Sequence, residues 1–420
     1  MKSTPIAIKT LIENRSVTSH YQPIINLHSR EVIGCEALCR GISPEAKLIP
    51  PLPMFAAAAQ AGLSLELDRL CRQRILNETL EDFIGNDKLV FINFDICILA
   101  EERAEPGWLA QAIRASDYDF NDIAIEIVES ELKNIEPLIT FVEYYRALGC
   151  LIVIDDYGTS HSNCERIASI KPDIIKIDKG LISGIADDYY KQSIVAAVIQ
   201  IGRKIGSLVL AEGVEEIRDV LHCHRAGVDL MQGYIFSRPI PHDQVMERIE
   251  LIESKILRHI SLNFENHLKR ESLERVEMQQ TAEKIVNSLR VDITEGIENV
   301  LRKILPKYRD IHCLFTLDMA GRQVGDTVFD NVILDAIRHP LFKPATDGAD
   351  HSLKDYYYLL RHSVGNFYLT EPYISKATGC LCRTFSTHFR TSEEKRLILC
   401  IDFGEPGEIQ RVTPGLCWGA

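Results

Sequence analysis

Residues 150–156 read Cys-Leu-Ile-Val-Ile-Asp-Asp, an apolar run that ends on two carboxylates. A run this short and this apolar is a strand buried on both faces. A carboxylate closing such a strand is costly unless it meets a ligand or a metal. The pattern recurs in VIGCEAL (32–38), KLVFINF (88–94), DIAIEIV (122–128), DIIKID (173–178), SLVLAEG (207–213) and DLMQGYIF (229–236). Helical patterns lie between them, among them LDRLCRQRILNETLEDFI (67–84) and YYKQSIVAAVIQIGRKIG (189–206). Strand–helix alternation of this kind belongs to an α/β barrel or to a doubly wound sheet. The polar residues separate the two. Glu36, Asn93, Glu126, Asp155 with Asp156, Lys176, Glu212 and Gln232 each stand at or near the C-terminal end of a run. Residues so placed converge on one mouth in a (β/α)₈ barrel, whereas an open sheet gathers them at a single switch point. The expected fold is α/β, a TIM-like barrel.

The chain of 420 residues is 46% hydrophobic and 25% charged, which excludes disordered and fibrous classes. A barrel takes roughly 250 residues as one unit, so a second module is required. The formal charge is −13, from 60 acidic and 47 basic residues. Such a surface repels a nucleic-acid backbone, so neither DNA nor RNA is an expected partner. A small anionic ligand remains compatible, because bound divalent cations invert the local field. No stretch has the ~18 apolar residues of a membrane span, and the opening MKSTPIAIKTLIENRS lacks a signal peptide's apolar core. The 12 cysteines are scattered and read as reduced core thiols. The expected location is cytoplasmic. His222-Cys223-His224 reads as a solvated helix face rather than a metal site.

From 242 to 290 the pattern becomes a long charged helix, free of Gly and Pro after Pro241. Residues 291–403 read as α+β, with HCLFTLD (312–318), NFYLTEPYI (366–374), GCLCRTFSTHF (379–389) and KRLILCIDF (395–403) as antiparallel strands with one solvated face. The expected organisation is a barrel at 1–250, a linker helix at 251–290 and a smaller sensor or dimerisation domain at 291–420, the last residues a loose tail.

Glu36, Glu126, Asp155, Asp156 and Glu212, with Asn93 and Gln232, offer hard oxygen ligands and no histidine. That set suits Mg²⁺ or Mn²⁺ rather than zinc. It exceeds the needs of one ion, so two metals roughly 3.5–4 Å apart are expected. Lys176 adds a positive charge able to hold an attacking water or a phosphate oxygen.

Glu36-Ala37-Leu38-Cys39-Arg40 resembles the E-A-L-x-R signature of the EAL family of cyclic di-GMP phosphodiesterases. FINFD, IEIVE, IDDYGTS, PDIIKIDK, AEGVE and QGYIFSRP follow it in the family's order across residues 15–250. The resemblance implies hydrolysis of cyclic di-GMP to linear pGpG. The alternative is a catalytically inactive receptor for the same nucleotide. By resemblance Glu36, Asn93, Glu126 and Asp155 are metal ligands and Asp156 holds the second metal. Lys176 positions the water, and Glu212 is a general base or metal-associated carboxylate. Gln22, Arg40, Glu215 and Gln232 contact substrate, and Glu129 braces the loop after the two aspartates. Ca²⁺ is expected to inhibit, and a homodimer is the expected assembly. Departures from the family pattern are Asp95, Val128 and Ser160, where serine, threonine and glycine are usual. TLDMAGRQV (316–324) and FYLTEPYIS (367–375) resemble PAS or Cache sequence, which implies that the C-terminal domain takes a small ligand.

Overall fold

In the computed structural model the described residues are 7–78, 80, 83–84, 88–96, 107–127, 135–159, 164–291, 296–329, 344–363, 365–375 and 378–404. Two compact units divide the chain, 1–266 and 267–420.

The first unit is a closed eight-stranded barrel: β1 (Val17–Asn26), β2 (Glu31–Ile42), β3 (Leu89–Phe94), β4 (Ile123–Ile127), β5 (Leu151–Tyr157), β6 (Ile174–Ile177), β7 (Leu208–Ala211) and β8 (Leu230–Met231). The strands stand in chain order around the barrel, and β1 closes it by pairing with both β2 and β8. All seven runs recognised in the sequence are strands here. The eighth, β1, was not among them, and it departs from the all-parallel expectation by running antiparallel to both neighbours. Pro23 lies inside it, and proline inside a run normally argues against a strand. The ladder shifts register between Ile24 and Ile25, just after that proline. Helices such as Ser64–Asn77, Glu136–Leu148 and Tyr189–Ile205 turn apolar faces to the outside of the barrel. Tyr145, Ile154, Ile175, Val195 and Ile199 pack together in that layer.

After the barrel the chain forms the helix Val245–Leu251, a π-turn at Ile252–Ile256 and the helix Leu257–Val291. Val245, Ile249, Ile252, Leu257 and Ile260 belong to the barrel's core. Ala282, Ile285 and Leu289 belong to the second unit's core.

The second unit has an antiparallel sheet of β9 (Ile311–Leu317), β10 (Val328–Phe329), β11 (Phe367–Leu369), β12 (Tyr373–Ile374), β13 (Leu381–Arg390) and β14 (Arg396–Gly404). Its order is β10-β9-β14-β13-β11, with β12 also on β13. The four strand runs expected here are present, but their central strands have no solvated face. Along β14, Leu397, Leu399, Ile401 and Phe403 pack with Ile285 and Leu301 from the helices Leu257–Val291 and Ile297–Ile304. Ile398 and Cys400 pack on the other side with Tyr356, Tyr357 and Leu360 of the helix Asp355–His362. Both faces are covered, so the run is apolar throughout instead of alternating. The expected tail beyond 404 lies outside the described residues.

Ile285 is fully buried between helix and sheet. Ile285→Ala should therefore destabilise the second unit by about 2–5 kcal/mol. Urea unfolding followed by circular dichroism checks this; an unchanged profile would refute the packing described.

Candidate active site

Side chains two residues apart on a strand share a face, and that period builds the site. The barrel interior is plugged by Ile24, Phe91, Ala124, Val153, Ile174, Leu210 and Leu230. Two residues further along the parallel strands come Asn93, Glu126, Asp155, Lys176, Glu212 and Gln232. β2 adds Glu36. Antiparallel β1 adds Gln22, two residues before Ile24 and paired in register with Glu36. Each of the eight strands thus carries one polar side chain above the apolar plug, at the end where a barrel builds its site.

Lys176 is the centre of this layer. Its side chain is fully buried, and Nζ lies 2.5 Å from Glu212 Oε1, 2.7 Å from Glu126 Oε1, 3.1 Å from Asp155 Oδ1 and 3.5 Å from Glu36 Oε2. Burial alone would lower the lysine pKa, but Asp155, Glu126, Glu212 and Glu36 together hold it well above the ordinary value. Glu36 is fixed from both sides: Asn93 Nδ2 donates to Oε1 at 2.9 Å and Gln232 Nε2 to Oε2 at 2.7 Å. Burial pushes its carboxyl up, yet Lys176 and these two amides outweigh burial and hold it below the usual range. Gln232 Nε2 also donates to Gln22 Oε1 at 3.2 Å, and Gln22 Nε2 donates to the Ser237 carbonyl at 3.1 Å. Glu126 differs. Lys176 is its partner at Oε1, no amide fixes it among the described residues, and burial with the neighbouring Glu36 raises its pKa well above normal against the pull of that lysine.

In a regular strand Asp155 and Asp156 would face opposite sides. Here the β5–β6 register shifts between Ile154 and Tyr157, and Asp156 adopts φ +55°. That conformation is strained for a residue with a Cβ, and such strain collects at functional sites. It leaves one oxygen each of Asp155, Asp156 and Glu212 within 4.8 Å of one another. Burial and the Asp155 carboxylate raise Asp156 to about 6. Burial raises Glu212 to about 8, against the pull of Lys176. Gly233 secures the far side, because a Cβ there would lie 2.0 Å from the Val214 carbonyl oxygen.

Five carboxylates therefore face one ammonium, and the excess shows as raised carboxyl pKa values at Glu126, Asp156 and Glu212. A hard-oxygen set with uncompensated negative charge fits divalent cations. No second metal-type cluster occurs among the described residues. At His222-Cys223-His224 the expected solvated face is only partly so: Cys223 is fully buried in the barrel core, and the His224 ring lies 4.9 Å from that of His28.

Other expected site residues lie further out. Arg40, half-buried on β2, donates to the Cys39 carbonyl at 3.0 Å. Glu215 is exposed, outside the buried layer, and pairs with Lys179 at 2.5 Å. Glu129, Val128 and residues 160–163 lie outside the described residues. The sequence reading drew only Gln232 from QGYIFSRP, but that string also supplies a rim cluster. The Arg238 guanidinium lies 4.3 Å from the Tyr234 ring centre, and Lys179 Nζ lies 5.8 Å from it.

Fold and site together define an α/β-barrel protein with an acidic, cation-demanding mouth at the C-terminal ends of its strands. The EAL domain profile matches residues 7–239, over half of the sequence, and the chain belongs to the EAL family. Among its relatives, Cyclic di-GMP phosphodiesterase PdeR of Escherichia coli is 29% identical over 238 residues, covering 56% of this chain and 35% of PdeR. The EAL-domain containing protein YkuI of Bacillus subtilis is 24% identical over 393 residues, covering 91% of this chain and 93% of YkuI. The crystal structure of YkuI, in complex with c-di-GMP and calcium, superposes with a TM-score of 0.71 at 23% identity, covering 96% of this chain and 99% of that one. The chain spans only 30–46% of the length of its first three curated relatives. No described helix is long and apolar enough to cross a membrane.

Raised carboxyl pKa values mean that the metal-free fold binds protons that the unfolded chain releases. Stability from Asp156 and Glu212 is thus present at low pH and lost as pH rises through about 6 and about 8. A divalent cation must displace the same protons. The rise in melting temperature on replacing EDTA by Mn²⁺ should therefore grow between pH 6 and pH 8.5. A rise that shrinks over this interval would contradict the charge assignment.

Proposed function

We propose that the barrel hydrolyses cyclic di-GMP to linear pGpG with Mg²⁺ or Mn²⁺. The observation that carries this reading is the polar layer: one side chain per strand, three carboxylates within bridging distance, and a buried ammonium beside them. Membership of a family that includes named cyclic di-GMP phosphodiesterases supports the substrate.

In this reading Glu36, Asn93, Glu126 and Asp155 would hold one cation and Asp156 a second, with Glu212 a general base or metal-associated carboxylate. When bound, the cations neutralise charge on the phosphodiester and acidify water at neutral pH. Lys176 stays protonated, since four carboxylates surround it, and it orients the attacking water or a phosphate oxygen instead of accepting a proton. Glu212, next to Lys176, is the proton acceptor. Arg40 and Gln22 grip phosphate and guanine, with Gln232 and Glu215 on the substrate side. The reaction needs positioning and charge compensation more than a covalent nucleophile, and no serine or cysteine enters the layer.

We further propose a cytoplasmic location, supported by ten described cysteines that are all free thiols, and a homodimer as the working assembly, read directly by sedimentation velocity.

Chromatographic detection of pGpG after incubation with cyclic di-GMP tests the reading. Product should form with Mg²⁺ or Mn²⁺ and not with EDTA, and Ca²⁺ should bind yet inhibit. Binding without product under every metal condition would leave a receptor and refute hydrolysis. Glu36→Ala should lower kcat by more than about 100-fold through loss of a metal ligand. Arg40→Ala should leave kcat and raise KM by roughly 10- to 100-fold, the value of a charge-assisted hydrogen bond. Wild-type turnover by the Glu36 variant would overturn the site assignment.

A further inference from the structure

The second unit has a cavity of about 660 Å³ on the sheet face that carries the helix Asp355–His362. Small-molecule sites span about 300–1,000 Å³. Its walls include Phe315, Tyr356, Tyr368 and Tyr373, and Asp402 lies among its lining residues.

Asp402 is out of place as a packing residue. It continues the alternation Ile398, Cys400, Asp402 along β14, and the two residues before it are fully buried and apolar. Its oxygens accept from Thr384 Oγ1 at 2.7 Å and from Cys313 Sγ at 3.2 Å. A carboxylate has about four acceptor sites, so acceptor capacity is left over. A buried charge is ordinarily paired, yet among the described residues this one is supported by the hydrogen-bond donors Thr384, Cys313 and Cys382, and burial pushes its carboxyl above the usual range.

The surroundings favour positive charge. Among the described lining residues, Asp355 and Glu371 join Asp402 and Lys354 stands against them. His351 is not a competing cation: Nδ1 is bonded to Tyr356 Oη at 2.6 Å and Nε2 to Gln323 Oε1 at 3.0 Å, and burial lowers its pKa. The same contact fixes the Tyr356 ring, and Thr384 Oγ1 fixes Tyr373 through a 2.7 Å bond to its hydroxyl. Aromatic faces held rigid around an acid attract organic cations.

We propose that this cavity binds a small organic cation, a primary amine with an apolar or aromatic body, its ammonium on Asp402 and its body against Phe315 and the three tyrosines.

Calorimetric titration of the full chain in amine-free phosphate buffer tests this. The probes are n-butylammonium, 2-phenylethylammonium and 1,4-butanediammonium chlorides, each beside its uncharged alcohol counterpart. At least one ammonium should bind with Kd below about 1 mM and its alcohol at least roughly tenfold more weakly. Asp402→Asn, which keeps the side-chain shape, should abolish the preference for the cation. Tyr368→Leu, at a half-buried wall, should weaken the cation roughly tenfold and decides the matter if the Asp402 variant does not fold. No binding by any ammonium, equal binding of the alcohols, a preference retained in Asp402→Asn, or unchanged affinity in Tyr368→Leu would each overturn the proposal.

Discussion

A lysine with no exposed side chain is held inside this barrel by four carboxylates, and the rest of the first unit follows from accommodating it. An isolated ammonium or carboxylate in that environment carries a desolvation penalty of several kcal/mol, and removing one partner of such a pair strands the other. Lys176 therefore requires acids from the neighbouring strands, and the acids require Lys176. Together they still leave negative charge in excess. The apolar plug of Phe91, Val153, Ile174 and Leu210 closes the barrel beneath them, so compensation must come from the open mouth. The inference to divalent cations rests on that imbalance.

Much of this arrangement was legible in the sequence, because its grammar is period two. Phe91-x-Asn93, Ala124-x-Glu126, Val153-x-Asp155, Ile174-x-Lys176, Leu210-x-Glu212 and Leu230-x-Gln232 are one instruction repeated: an apolar interior residue, then a polar one above it on the same side. The conformation of Asp156 was not legible. Alternation points it away from Asp155, and only the bulge and the left-handed backbone bring the two carboxyls together. β1 was missed because Pro23 and its polar residues Ser19, His20 and Gln22 mask the strand pattern. Its antiparallel course also reverses the spacing, so that Gln22 precedes its interior partner.

In the second unit the strands were readable but their burial was misjudged. Leu397 to Phe403 is nearly continuous in apolar residues, a signature of two covered faces, and the helices on each side of the sheet account for it. The exception within that run is Asp402. An acid in a strand covered on both sides invites the same question as the barrel acids: which cation accompanies it.

The central claim, that the barrel mouth holds its excess carboxylates for divalent cations, is tested most directly by anomalous diffraction from crystals equilibrated with Mn²⁺ and cyclic di-GMP. The account predicts two manganese peaks roughly 3.5–4 Å apart, with Asp155 and Asp156 among their ligands and Lys176 beside them. Saturating Mn²⁺ with no anomalous peak in the mouth, and Lys176 still the only cation among the carboxylates, would contradict it.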